Sequence, residues 1–202
     1  MKKRNVSLLL VAIILVSAAV IAGSSPTANE VPAPPAIGAT IDEFTLPDVG
    51  GTERALSSLK GKNGTVLLFI AVQCPVSNGY NERMEKLFQD YKSKGIAVIG
   101  INANASEDAS AVKNHATEKG LNFTILKDAG NKVADKLGAT RTPEAYFLDG
   151  NSKLVYHGRI DNSQNPAAIE ANDLRNAIDA TLAGKPVEKP EAKAFGCSIK
   201  RA

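Results

Sequence analysis

Seven consecutive apolar residues, Val66 to Val72, stand out from the mixed chain around them. A run that short, partly β-branched and with no polar alternation, predicts a strand covered on both faces. From Ser77 to Lys94 the period changes. Tyr80, Met84, Leu87, Phe88 and Tyr91 recur at helical spacing, with Gly95 as a stop, which predicts a helix whose apolar stripe is core. Ile96–Ile101 reads as a second buried strand. Ser106–Lys119 reads as a helix capped by Ser106 and ended by Gly120. A short strand over Asn122–Leu126 and a short helix over Lys132–Leu137 follow. Glu144–Leu148 and Leu154–Ile160 read as strands joined by the turn sequence DGNSK. Leu174, Ile178 and Leu182, four apart, place a last helix over Ile169–Leu182. The order β-α-β-α-β-α-β-β-α predicts an α/β fold, with parallel crossovers first, a closing antiparallel hairpin, and helices on both faces of a central mixed sheet.

The ends of the chain follow other patterns. Lys2, Lys3 and Arg4 precede an uncharged, largely apolar run from Val6 to Ala22 with a Val-Ile-Ala junction before Gly23. Residues 1–22 therefore read as a secretory signal, an uncleaved membrane tether being the alternative. Residues 23–40 carry Pro26, Pro32, Pro34 and Pro35 and read as a semi-stiff linker. The domain proper is expected over 41–184. Residues 185–202 read as a proline-punctuated tail with an apolar knot at Phe195 and Ile199.

Charge adds little. The formal charge is +3, but Lys2, Lys3 and Arg4 supply three of the 24 basic residues, and the remaining 21 face 21 acidic ones. No basic face for nucleic acid is apparent. No Gly-rich phosphate loop or other cofactor motif is seen, and two cysteines without paired spacing or a nearby histidine make a poor metal site. An exported chain meets an oxidising compartment, where its two cysteines, Cys74 and Cys197, can pair.

Cys74 sits where the first buried strand hands over to a helix, in QCPVS. Helix N-termini offer unpaired N–H groups and partial positive charge, which favour a thiolate and lower its pKa. Pro75, with no N–H to leave unpaired, suits the first helical position. The competing reading is a buried, inert cysteine. Thr142 and Pro143 directly precede an apolar strand. His115 is expected on an exposed helix face, His157 on a late strand, and Asp128 in a turn that caps a helix.

This arrangement resembles the thioredoxin-like fold: a strand, then Cys-Pro-x-x at a helix start, then Thr-Pro before a hairpin. The extra βα unit and the opening IDEFTLPDVGGTERALSSLKGKNGTVLLF resemble its redoxin (AhpC/TSA-type) branch of peroxiredoxins and exported disulfide reductases. More narrowly, CPVSNGYNERM, LVYHGRIDN and the ending KAFGCSIK look like a peroxiredoxin-like group of bacterial proteins. The resemblance implies that Thr142–Pro143 is cis and lies beside Cys74. It places Cys74 at the attacking position of a Cys-x-x-Cys pair whose second position holds Ser77. The three catalytic positions of peroxiredoxins fall at Cys74, Ser77 and Pro143, and none keeps its residue.

A thiolate at position 74 can attack a disulfide, but Ser77 cannot displace the product. Ser77 can only donate a hydrogen bond to the sulfur. Resolution then falls to an external thiol or to Cys197, with Cys74 expected as the faster-reacting thiol. Three functions remain open on the sequence. The first is an exported thiol–disulfide oxidoreductase acting on protein or small-molecule thiols, with Thr142, Pro143 and Pro75 lining the substrate site. The second is a thiol peroxidase, in which peroxide oxidises Cys74. The third is a non-catalytic module holding an extended peptide or a soft metal such as Cu(I).

Overall fold

The two faces of one strand decide the architecture. In Gly64–Phe69, Val66 and Leu68 enter one apolar cluster and Leu67 and Phe69 the other, all fully buried. Burial of a side chain of this size contributes about 1.5–3 kcal/mol, so both faces of the sheet attract amphipathic helices. A computed structural model describes residues 31–201. The expected signal segment 1–22 and linker residues 23–30 lie outside the described residues.

The elements run β1 (Thr45–Pro47), β2 (Glu53–Ala55), α1 (Leu56–Leu59), β3 (Gly64–Phe69), α2 (Pro75–Asn78), α3 (Asn81–Tyr91), β4 (Ile96–Asn102), α4 (Ala109–Glu118), β5 (Thr124–Lys127), α5 (Lys132–Lys136), β6 (Arg141–Thr142), β7 (Glu144–Asp149), β8 (Leu154–Gly158), α6 (Asp173–Leu182), β9 (Glu191–Ala192) and β10 (Cys197–Ser198). The main sheet has the order β5-β4-β3-β7-β8-β9. Strands β3, β4 and β5 are parallel, and β7 and β8 form an antiparallel hairpin paired to β3. Residues of α3, α4 and α6, among them Met84, Leu87, Val112, Leu174 and Ile178, cover one face. Leu56 of α1 and Val133 of α5, with Leu137, cover the other. This is the expected α/β, thioredoxin-like architecture. Among the described residues no helix is long and apolar enough to cross a membrane.

Local departures from the sequence pattern have local causes. The apolar run leaves the sheet after Phe69 because later amides find side-chain partners. Ala71 N–H donates to Ser77 Oγ, and Val72 and Gln73 N–H donate to Glu107. The expected helix from Ser77 to Lys94 is two helices with a short 3₁₀ turn behind them. The break falls at Tyr80, which has a ψ of −4° and buries its ring. Helix α4 is capped by Asp108, whose Oδ1 accepts from Ala111 N–H at 2.7 Å, rather than by Ser106. Glu107 has turned inward by that point, so the helix starts after it. Helix α6 begins at Asp173, not Ile169, because the Asn162 side chain accepts from the amides of Glu170 and Ala171 and holds them in a loop.

The last residues join the domain. Strand β9 pairs parallel to β8, and β10 pairs antiparallel to β6, with Cys197 opposite Thr142 and Ser198 opposite Arg141. Ile199 is buried in the second cluster, and Phe195 packs edge-on against Tyr80. Lys200 N–H donates to Asn104 Oδ1, and Arg201 pairs with Asp135. Two glycines permit this approach. A Cβ on Gly158, at φ +141°, would lie 1.7 Å from the Ala192 carbonyl oxygen. One on Gly196, at φ +146°, would lie 2.1 Å from that of Thr142.

Candidate redox site

Cys74 is the N-cap of α2, a helix of one turn. Cys74 thus starts a helix, as expected, but one of a single turn, and local hydrogen bonding supports the sulfur. Ser77 N–H donates to Cys74 Sγ at 3.3 Å, a geometry that stabilises negative charge on the sulfur. The Ser77 hydroxyl accepts from Ala71 N–H, so its contact with the sulfur runs through the main chain. Pro75 starts the turn, as its missing N–H allows.

Thr142–Pro143 is cis, and the Thr142 carbonyl oxygen lies 3.3 Å from Cys74 Sγ. Cys74 and Cys197 are joined by a disulfide with their Cα atoms 5.9 Å apart. Cys74 is 3% exposed, whereas Cys197 is partly exposed. The Thr142 hydroxyl is buried and has no hydrogen-bond partner, so it is a donor or acceptor left unused in the oxidised state. The structure thus brings together Cys74, Pro75, Ser77, Thr142, Pro143 and Cys197 on one end of the sheet.

Two buried carboxylates hold the loops that carry these residues. Glu107 accepts from the amides of Val72 and Gln73, both at 2.9 Å, and from the side chains of Asn102 and Asn104. Burial opposes its charge, but these donors outweigh it and keep its pKa below the ordinary 4.5. Lys127 completes the network through Asn102 and Asn104. Glu144, next to Pro143, accepts from the amides of Thr140 and Arg141 and from His157 at 2.7 Å. Burial again opposes its charge and hydrogen bonds again win, so its pKa is lowered. His157 also stacks on Tyr146.

Glu107→Gln is expected to destabilise the protein by about 2 kcal/mol at pH 7, because buried donors lose a charged acceptor. A group with a depressed folded pKa stabilises above its unfolded value and loses that contribution as pH falls through the folded one. The gap between wild type and variant should therefore close below pH 4.5. Urea midpoints at pH 7 and pH 3.5 measure it, and a gap equal at both would mean that the carboxylate charge is irrelevant.

A family model described as the AhpC/TSA family matches residues 37–157. The chain belongs to the AhpC/TSA family. That match holds Cys74, Ser77, Thr142 and Pro143, and it ends before Cys197. Thiol-disulfide oxidoreductase ResA of Bacillus thuringiensis (strain Al Hakam) is 31% identical over 119 residues, 59% of this chain and 67% of that protein. Peroxiredoxin Q, chloroplastic, of Sedum lineare is 33% identical over 132 residues, 61% of this chain and 69% of its own. A solved structure of a hypothetical protein from Sinorhizobium meliloti 1021 matches with a TM-score of 0.77 at 33% identity, covering 83% of this chain and 95% of that one.

Several residues of this AhpC/TSA site had no distinct signal in the sequence. Glu107 lies in ASEDAS, where acidic residues read as helix-start composition. Glu144 reads as the polar first residue of a strand, although its place after Thr-Pro could have marked it. His115, expected to be exposed, is half-buried with Nε2 3.3 Å from Asn81 Nδ2, and burial lowers its pKa. Asp128 caps α5 through the amides of Val133 and Ala134, as expected. Among the described residues no group of three or more His, Cys, Asp or Glu is arranged to hold a metal.

Proposed function

We propose that the protein is an exported thiol–disulfide oxidoreductase whose redox couple is Cys74 and Cys197, with Cys74 supplying the nucleophilic thiolate of the step that closes the disulfide. The observation that carries this reading is the pairing of a buried, amide-supported cysteine with one delivered by the tail. It gives the chain an internal second thiol where Ser77 interrupts the Cys-x-x-Cys pattern. Similarity to the protein named thiol-disulfide oxidoreductase ResA supports the same class. The partner is then a thiol or disulfide on a protein or small molecule, lined by Thr142, Pro143 and Pro75. Export rests on the n-region, the apolar run and the Val-Ile-Ala junction at residues 1–22.

Similarity to peroxiredoxin Q favours thiol peroxidase as a second reading, with Cys197 condensing with a sulfenic acid on Cys74. Turnover separates the two. Pre-reduced wild type, with no dithiothreitol present, should release both thiols of a disulfide substrate, whereas Cys74→Ser and Cys197→Ser should each stop at or before a mixed disulfide. Consumption of hydrogen peroxide that exceeds disulfide exchange and needs Cys74 would make the protein a peroxidase. N-terminal sequencing should find a mature chain starting near Gly23, and a membrane-bound chain retaining Met1 would mean a tether.

A further inference from the structure

We propose that external partners exchange at Cys197, and that Cys74 never forms the mixed disulfide but is the internal thiol that leaves and returns. The inference rests on the redox reading above and fixes which sulfur faces the partner.

Access is the first argument. In the oxidised protein Cys74 is 3% exposed, enclosed by α2, by the Thr142 carbonyl and by the tail that carries its disulfide partner. Cys197 is partly exposed on a two-residue strand at the rim of the fold. A thiolate arriving from solvent meets Cys197 first.

The leaving group is the second. Thiol–disulfide exchange is faster when the departing thiolate is the more stable one. The Ser77 amide is aimed at Cys74 Sγ. Attack at Cys197 expels a sulfur that already has its donor, whereas attack at Cys74 would expel Cys197 from a strand whose ladder partner is Thr142.

The steps balance. In the reducing direction a partner thiolate attacks Cys197 Sγ, the Cys74–Cys197 bond breaks, and Cys74 departs as thiolate. A second partner thiolate then attacks the partner's sulfur in the mixed disulfide, releasing Cys197 as thiolate. Two partner thiols become one disulfide, and the protein gains two electrons as a dithiol. In the oxidising direction the Cys197 thiolate attacks a partner disulfide and releases one partner thiolate. Cys74 thiolate then attacks Cys197 Sγ, closes the internal disulfide and releases the second. By reversibility the only mixed disulfide on this path is on Cys197. This reverses the order expected from sequence, where Cys74 was the first to meet a partner and Cys197 the one to resolve it.

Glutathione is the probe. Oxidised full-length mature protein is mixed with reduced glutathione, quenched with acid within seconds, and digested for peptide mapping. The glutathione adduct should sit on the peptide containing Cys197, in excess over Cys74 by about tenfold or more. Independently, reduced Cys74→Ala should take up glutathione from its disulfide at Cys197 about tenfold faster than Cys197→Ala does at Cys74. Adduct mainly on Cys74, or a faster Cys74 in the variant pair, overturns the assignment and leaves the redox couple standing. Absence of adduct on either cysteine overturns the redox reading and the assignment with it.

Discussion

The oxidised protein is expected to melt about 10–20 °C above the same chain carrying Cys74→Ala or Cys197→Ala. The disulfide spans 123 residues of sequence. Closing a loop of that length in the unfolded chain removes entropy worth about 5 kcal/mol in the chain-entropy treatment. A domain of this size shifts its melting temperature by about 2–4 °C per kcal/mol. Both substitutions remove the same cross-link, so their effects should be similar, with Cys74→Ala slightly worse because it also empties buried volume. The double variant should add almost nothing to either, and dithiothreitol should bring wild type down to the variants. Calorimetry on the four proteins measures this. A shift under about 3 °C would mean that the tail's other contacts already hold the two ends together in the unfolded ensemble.

Gly196→Val is expected to free both thiols. The side chain would be driven into the Thr142 carbonyl at a backbone angle that side chains rarely adopt. Overpacking of this kind costs about 1–3 kcal/mol, and the left-handed backbone adds about 1–2 more. The tail can avoid both by leaving β6, which takes Cys197 away from Cys74. In the structure both cysteines are paired, so oxidised wild type should show no free thiol. The variant should show two that react with a thiol reagent. Gly158→Val should detach β9 from β8 by the same argument, through Ala192. Gly184→Ala is the control for the backbone cost alone, since Gly184 is also left-handed, at φ +67°, but its Cβ meets nothing within 4 Å. Full oxidation of Gly196→Val would show that the tail reaches Cys74 by another route.

What was legible in the sequence follows from how each residue earns its place. Val66–Phe69 and the stripe of Tyr80, Met84 and Leu87 announce themselves because burial repeats with a period. Cys74-Pro75 and Thr142-Pro143 stand at punctuation points that proline marks. The tail had no period, and its prolines, Pro186 and Pro190, stand well before Cys197. Strands β9 and β10 are two residues each, too short for any alternation to show. Gly158 and Gly196 look like ordinary breakers, and only the backbone opposite them explains the missing side chain. The split of the helix at Tyr80 was hidden for a related reason. Its cause is the Asp161 and Arg83 side chains, which hold the Tyr80 hydroxyl and ring. Asp161 lies some eighty residues away in sequence.

The span of the disulfide also sets a timetable. Ribosomes add about 5–20 residues per second, so Cys74 is made roughly 6–25 s before Cys197 exists. Helix formation and hydrophobic collapse take microseconds, so the strands and helices between the two cysteines can begin to fold while Cys74 has no partner. The site is therefore closed late, from two cysteines made far apart in time. Any chain released before residue 197 carries a lone Cys74 thiol and no internal means of closing it. The chain acquires its second thiol only once residue 197 has been added. The redox couple exists only once 123 further residues have followed Cys74.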